Sequence, residues 1–341
     1  MKIVIILIFF LLNIIFSVCE SDNEKLFIEW TRKHNKIYSN KEFNSKFKNF
    51  LNNKEYVDSW NKMEYETILE LNIFADLSRE EYINNYLGNF MDISKVYQKS
   101  NKNFKYDGVF FYNFKDSIKS IDWRNFDAVT PVKNQGTCSG AGYSFSAIGS
   151  IESAHFIKNN ELITLSEQNL IDCSIDMGNN GCKGGLSSIA FDYIIKQRGI
   201  DSEFSYPYEG HVIEPYEGRG RCRYNSFYSK ASISSYIEIE RFNENQLTHS
   251  LLKTPVSVMI DASQLSFMLY KSGVYMDQSC SSTKLNHGLL NIGFGETEDG
   301  IEYYILKNSF GSKWGNKGYI HLSRNSNNHC GVASFAFYPI I

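Results

Sequence analysis

Apolar and polar positions divide the chain into regions of different period. Residues 1–19 begin with Lys2, continue as a nearly unbroken apolar run from Ile3 to Phe16 and end in Ser17-Val18-Cys19. That order predicts a cleaved secretory leader, and the run falls short of the about 20 apolar residues of a spanning helix. Between residues 24 and 90 the chain is charged and aromatic, with no cysteine and Gly88 as its one glycine. Here Glu42, Lys46, Phe50, Asn53, Val57 and Asn61 recur at spacings of 4, 4, 3, 4 and 4, which places them on one stripe of a single helix. Residues 91–120 show no clear period. From Tyr143 the pattern turns helical again, with Phe145, Ile148, Ile151 and Ala154 every three residues and expected to point one way. Ser166 is placed to cap a second, short helix. The final third is strand-like: Pro255-Val256-Ser257-Val258-Met259-Ile260, Gly288 to Phe294, Glu302 to Lys307 and Gly318 to Leu322 are apolar or alternating, and Asp299-Gly300 is a hairpin signal. Helices first and strands later predict an α+β architecture with two lobes.

Composition adds few constraints. With 43% hydrophobic, 15% aromatic and 21% charged residues in 341, the chain has ample material for a core and is not disordered as a whole. A formal charge of -3 offers no basic footprint, so no nucleic-acid partner is expected. Beyond the leader no apolar run approaches a membrane span, so no membrane anchor is expected. Of seven cysteines Cys19 lies in the leader, and the other six form an even set in an oxidising compartment, which argues for three disulfides. No two are spaced C-x-x-C and His329-Cys330 stands alone, so no metal site is expected, and no cofactor is implied. No Asn-x-Ser/Thr sequon occurs.

The segment Gln135-Gly136-Thr137-Cys138-Ser139-Gly140-Ala141-Gly142-Tyr143-Ser144-Phe145 resembles the nucleophile loop of the papain-like cysteine proteases, Cys-Gly-Ser/Ala-Cys-Trp/Tyr, but carries one cysteine where that pattern has two. Cys138 matches the first cysteine and Tyr143 the aromatic. Counting forward from Cys138 puts Ala141 at the nucleophile position. Counting back from Tyr143 puts Gly142 there, because the loop has one extra residue. Leu285-Asn286-His287-Gly288 and Lys307-Asn308-Ser309-Phe310-Gly311 resemble the family's histidine and asparagine motifs, the latter with Phe310 in place of Trp, and His287 lies 145 residues beyond Gly142. Leu170-Ile171-Asp172-Cys173 and Gly181-Cys182-Lys183-Gly184-Gly185 also match. The helical stripe resembles the E-R-F-N-I-N signature of the cathepsin L-like prosegment, with Lys46 for Arg and Val57 for Ile. Asn72-Ile73-Phe74-Ala75-Asp76 resembles its G-x-N-x-F-x-D motif, with Glu70 for the first Gly, and Ile121-Asp122-Trp123-Arg124 resembles the start of the mature enzyme.

The resemblance implies a papain-like two-lobe fold, with a helical left lobe and a β-barrel-like right lobe. It divides the chain into a leader (1–19), a prosegment and linker (20–120, core 24–90) and a peptidase domain (121–341). It makes His287 the catalytic imidazole, Asn308 the amide that orients it and Gln135 the oxyanion donor, and it pairs Cys138 with Cys182, Cys173 with Cys222 and Cys280 with Cys330. Gly184 and Gly185 would pair with an extended peptide, and Leu186, Met259, Leu285 and Phe335 would line the main specificity pocket. The family activity is endopeptidase action in the lysosome or extracellular space. Neither Ala141 nor Gly142 attacks a carbonyl, so a catalytically inactive homologue is expected, with Gln135 aimed at empty space. The alternative is an active peptidase with a non-cysteine nucleophile such as Ser139, Ser144 being the other nearby hydroxyl. Expected partners are a peptide or protein in the cleft, the chain's own prosegment and cystatin-like inhibitors.

Overall fold

The computed structural model describes residues 22–92, 118–211 and 222–341. The leader and most of the linker lie outside the described residues. The predicted α+β, two-lobed architecture is present, with the N-terminal segment laid across the two lobes.

That segment forms helices over 22–33, Asn40–Asn61 and Arg79–Tyr86. The long one begins where the Glu42 carboxylate accepts from the backbone N–H and the hydroxyl of Ser39. Its stripe mixes apolar anchors with side chains that hydrogen-bond to other segments. Phe50 and Val57 are buried, Lys46 pairs with Glu81 at 2.7 Å, and Asn53 Nδ2 donates to the carbonyls of Ala75 and Leu77 at 2.8 Å. Asn61 holds both backbone groups of Leu69 at 3.0 Å. The second motif is therefore fixed by the first, and Asp76 is held in addition by Lys36 at 3.0 Å and the Tyr38 hydroxyl at 2.9 Å. Strand Ile68–Leu69 pairs antiparallel with Tyr270–Ser272, and Asn72 Nδ2 donates to Met268 O at 2.9 Å. Gly273 permits this approach: a Cβ there would lie 1.7 Å from the Glu66 carbonyl.

In the peptidase-like part, helix Gly142–Asn159 is the axis of the helical lobe. Its residues from Gly142 to Ala154 are buried except Phe145, so the expected single stripe is corrected to burial nearly all round. The cause is its position: helix Ser187–Gln197 packs on one side, and strands Val256–Ile260 and His287–Glu296 of the other lobe on another. Helix Glu167–Cys173 starts at the predicted cap, Ser166, whose hydroxyl accepts from Asn169 N at 2.9 Å.

The other lobe is built on a sheet running Ser235–Glu238, Ala336–Ile340, Val256–Ile260, His287–Glu296, Glu302–Lys307, Tyr319–Ser323 and Val274–Tyr275. Neighbours are antiparallel except the last pair. Ile121–Asp122 pairs antiparallel with the far end of His287–Glu296, beyond the stretch paired with Val256–Ile260, with Ile121 opposite Phe294 and Asp122 opposite Gly293. The hairpin turns at Gly300, which has φ 84°, a backbone angle that favours glycine. The three disulfides pair as the resemblance implied, at Cα–Cα distances of 4.7, 4.8 and 4.8 Å. The apolar core of the sheet lobe continues without a break into the N-terminal segment, from Tyr270, Phe310 and Trp314 to Phe74, Tyr82, Phe50, Trp30 and Phe27.

Asn53→Ala leaves two buried carbonyls without a donor and is expected to destabilise the prosegment by about 2–4 kcal/mol. Asn52→Ala, at an exposed neighbour, should be close to neutral. Urea unfolding of the intact chain distinguishes the two.

Candidate active site

The start of the central helix and the start of strand His287–Glu296 meet at the cleft. Ala141 is the N-cap residue, fully buried against Cys138 and Ile171 inside the helical lobe. Gly142 faces the other way: a Cβ on it would lie 2.8 Å from His287 Nδ1 and 2.9 Å from Cε1. Of the two registers, the structure thus sets Gly142 opposite the imidazole. The extra residue is taken up by the turn before it, where Gly140 N donates to Cys182 O at 2.6 Å. A Cβ on Gly140 would come within 2.2 Å of Gly184 N, so the turn fits only because residue 140 is glycine, and Gly184 opposite it has φ 123°, an angle that favours glycine.

His287 is 2% exposed, and its Nε2 lies 2.8 Å from Asn308 Oδ1. That oxygen also accepts from Ser309 N at 2.7 Å, which identifies it as the amide carbonyl and assigns the imidazole proton to Nε2. Nδ1 is then a bare acceptor directed at Gly142. Burial pushes the imidazole pKa down to about 4, against a smaller opposing effect of Asn308, so the ring is neutral through the mildly acidic range. Phe310 stacks on it with ring centroids 4.8 Å apart. Phe310 is itself covered by Phe74, Tyr82 and Tyr86 of the N-terminal segment, at 5.3, 6.2 and 6.0 Å.

Gln135 departs from expectation. Its amide does not aim at empty space: Nε2 donates to Ser139 O at 2.8 Å and Tyr86 O at 2.9 Å, while Oε1 accepts from Ser309 Oγ at 2.6 Å. The two nearby hydroxyls are also engaged. Ser139 Oγ donates to Cys182 O at 3.1 Å and Ser144 Oγ to Ala141 O at 2.8 Å.

The predicted cleft residues come together around the N-terminal segment. Gly88 N donates to Asn286 O at 2.9 Å and Asn89 N to Lys183 O at 3.4 Å, so the chain passes beside Gly184. Gly185 packs against Asn179, whose Oδ1 would lie 2.5 Å from an added Cβ. Strand Met91–Asp92 pairs with Lys284–Leu285, and Met91 packs in the apolar cluster that contains Leu186, Met259, Leu285 and Phe335. Sequence reasoning missed Tyr86, Met91, Gly140 and Ser309, whose roles come from chain crossings that no local spacing marks.

It also missed a buried ionic cluster behind Asn308. Lys133 Nζ lies 2.8 Å from both oxygens of Glu167 and 3.7 Å from Glu152 and Glu203. Burial raises the Glu167 carboxyl well above the usual carboxylate range, with the Lys133 contact opposing it, and the surrounding carboxylates raise the Lys133 ammonium. Lys307 Nζ donates to Thr130 Oγ1, which donates to Glu152, and burial lowers the Lys307 ammonium to about 8. The side chains of Cys280, His329 and Cys330 lie within 4.8 Å of one another, as metal ligands would, but the two sulfurs are joined as a disulfide.

Residues 118–340 match the papain family cysteine protease family, and residues 27–82 match the cathepsin propeptide inhibitor domain (I29). The chain belongs to the papain family of cysteine proteases and carries an I29 propeptide. Cysteine proteinase 3 of Dictyostelium discoideum is 46% identical over the whole length of both chains. A cathepsin L-like peptidase of Aedes aegypti is 42% identical over 80% of this chain and 78% of its own. Among solved structures, a recombinant stem bromelain precursor superposes with a TM-score of 0.80 at 34% identity, covering 94% of this chain and 99% of the other. Digestive procathepsin L 3 of the Tenebrio molitor larval midgut gives 0.80 at 35%, with the same coverage.

The His287 pKa of about 4 lies below the ordinary 6.5, so the unfolded chain takes the proton first as pH falls. The resulting stabilisation is complete above pH 6.5 and is lost as pH drops toward 4, on the order of 3 kcal/mol. His287→Gln is expected to flatten the fall in unfolding free energy between pH 7 and 4 by about that amount, measured by denaturant titration across that range.

Proposed function

We propose that this chain is a catalytically silent papain-family homologue whose cleft binds without cutting. The observation that carries the reading is Gly142: the residue opposite His287 has no side chain, and the one cysteine of the loop, Cys138, is tied to Cys182. In an active relative the helix start and an imidazolium would stabilise a thiolate at this point. Here they have nothing to ionise, and loss of the nucleophile in a comparable hydrolase costs about 10^6-fold in turnover. His287 and Asn308 keep the geometry of base and orienting amide without a partner to act on. The engagement of Ser139 and Ser144 with backbone carbonyls disfavours the alternative of a serine nucleophile.

On this reading residues 1–19 are a leader, 20–120 the prosegment and 121–341 the mature unit, routed to the lysosome or the extracellular space. Among the described residues no helix is long and apolar enough to cross a membrane. An extended peptide would lie along Gly184 and Gly185 with an apolar side chain among Leu186, Met259, Leu285 and Phe335, in the place now taken by Met91. A cystatin-like inhibitor is a second candidate occupant, and the chain's own propeptide is the first.

A silent protein cannot remove its own prosegment. Purified full-length protein is expected to keep its N-terminus for hours at pH 4–5, as read by intact mass and N-terminal sequencing. Spontaneous appearance of a terminus near Ile121, abolished by His287→Ala, would sink the proposal. Gly142→Cys is expected to gain a thiol that alkylating reagents label. Its turnover should still stay about 10^2–10^3-fold below that of an active relative, because Gln135 remains bonded to Ser139 O.

A further inference from the structure

We infer that Gln135 has exchanged the family's oxyanion role for that of a latch, joining the enlarged nucleophile loop to the end of the last prosegment helix. This rests on the silent-cleft reading for its sense, since an active enzyme needs the same donor free.

An amide nitrogen carries two hydrogens. Three carbonyls lie within reach of Nε2, and the two short contacts, Ser139 O at 2.8 Å and Tyr86 O at 2.9 Å, take its hydrogens, with Cys138 O a longer third contact at 3.3 Å. The two acceptors have different origins. Ser139 lies in the loop that carries the extra residue, so one donor is consumed by the chain's own backbone whether or not the prosegment is in place. Tyr86 is the last residue of helix Arg79–Tyr86. The carbonyls of a final helical turn have no partner within the helix, and Gln135 supplies one from the other side of the cleft.

The side chain is completely buried and is fixed at its other end. Ser309 Oγ donates to Oε1 at 2.6 Å, Gln135 N donates to Ser309 O at 2.8 Å, and the Tyr208 hydroxyl holds Gln135 O at 2.7 Å. The amide therefore cannot turn its donors elsewhere without breaking the contact to Ser309. Tyr86 also marks the point where the prosegment stops being helical and enters the cleft, with Gly88 and Asn89 donating to Asn286 O and Lys183 O within the next three residues. A donor at that corner fixes where the extended part begins, so the latch controls access to the whole cleft.

The test is amide hydrogen exchange on the intact chain. Gln135→Met keeps the length and removes both donors, and Gln135→Glu keeps the shape with acceptors only. In Gln135→Met the amides of Gly88 and Asn89 are expected to exchange about tenfold faster, and in Gln135→Glu faster still, with amides of the strand at Leu289–Ile292 unchanged. Ser309→Ala leaves the donors but frees the amide to rotate, and is expected to give a smaller acceleration at the same two residues; it answers the question if the Gln135 variants do not fold. Unchanged exchange at Gly88 and Asn89, or equal acceleration in the strand, overturns the latch. Peptide hydrolysis by the wild-type chain after removal of the prosegment by an added protease is scored separately. His287-dependent turnover there would sink the silent-cleft reading and with it the exchange of roles, whereas the exchange measurement alone decides whether Gln135 holds the prosegment.

Discussion

Two glycines let the lobes meet. A Cβ on Gly288 would sit 2.7 Å from the Gly142 carbonyl, and a Cβ on Gly142 would sit 3.0 Å from Gly288 N, so helix start and strand start are in backbone contact. This brings the His287 ring onto the Cα of Gly142, so a side chain there would have to push the ring aside. Burial of that ring follows from the same contact, and so does its neutrality, because a charge on it would have to be taken out of water without a counter-ion.

The prosegment is the other half of the same arrangement. Its aromatic core and that of the sheet lobe are one cluster, with Phe310 at the junction between His287 and the prosegment rings Phe74, Tyr82 and Tyr86. Dissociation would expose apolar surface on both sides at once, at roughly 25 cal/mol per Å². The polar contacts at Thr67, Asn72, Arg79 and Gln135 fix register, since each pairs a side chain with a backbone carbonyl across the interface.

Much of the fold was legible because its signals are local. Strand runs such as Val256 to Ile260 and Glu302 to Lys307 are bounded by turns, and the stripe from Glu42 to Asn61 has helical spacing. The stripe's meaning was less visible: spacing puts Asn53 and Asn61 in line with Phe50 and Val57, but does not show that they grip the backbone of residues up to 24 positions away. The central helix was misread for the opposite reason. A period of three suggests one apolar face, but Ser146, Ser150 and Glu152 are buried too, because hydroxyls find carbonyls at Leu289 and Ala147 and the carboxylate finds Thr130. Polarity in a sequence does not tell a solvated side chain from a satisfied buried one.

The sequence by itself determined the family, the set of six cysteines and the single cysteine of the loop from Gln135 to Phe145, because each depends only on which residues follow one another. Counting left two registers, since one extra residue is absorbed equally well on either side of a motif. Tertiary packing decided between them: the turn closes against Cys182 and Gly184, Ala141 is driven into the helical lobe, and Gly142 is left facing His287. It also decided what became of Gln135, whose donors are claimed by carbonyls from 4 and 49 residues away. A hydrogen bond requires two groups to arrive at the same point in space, and which groups arrive is settled by the whole folded chain.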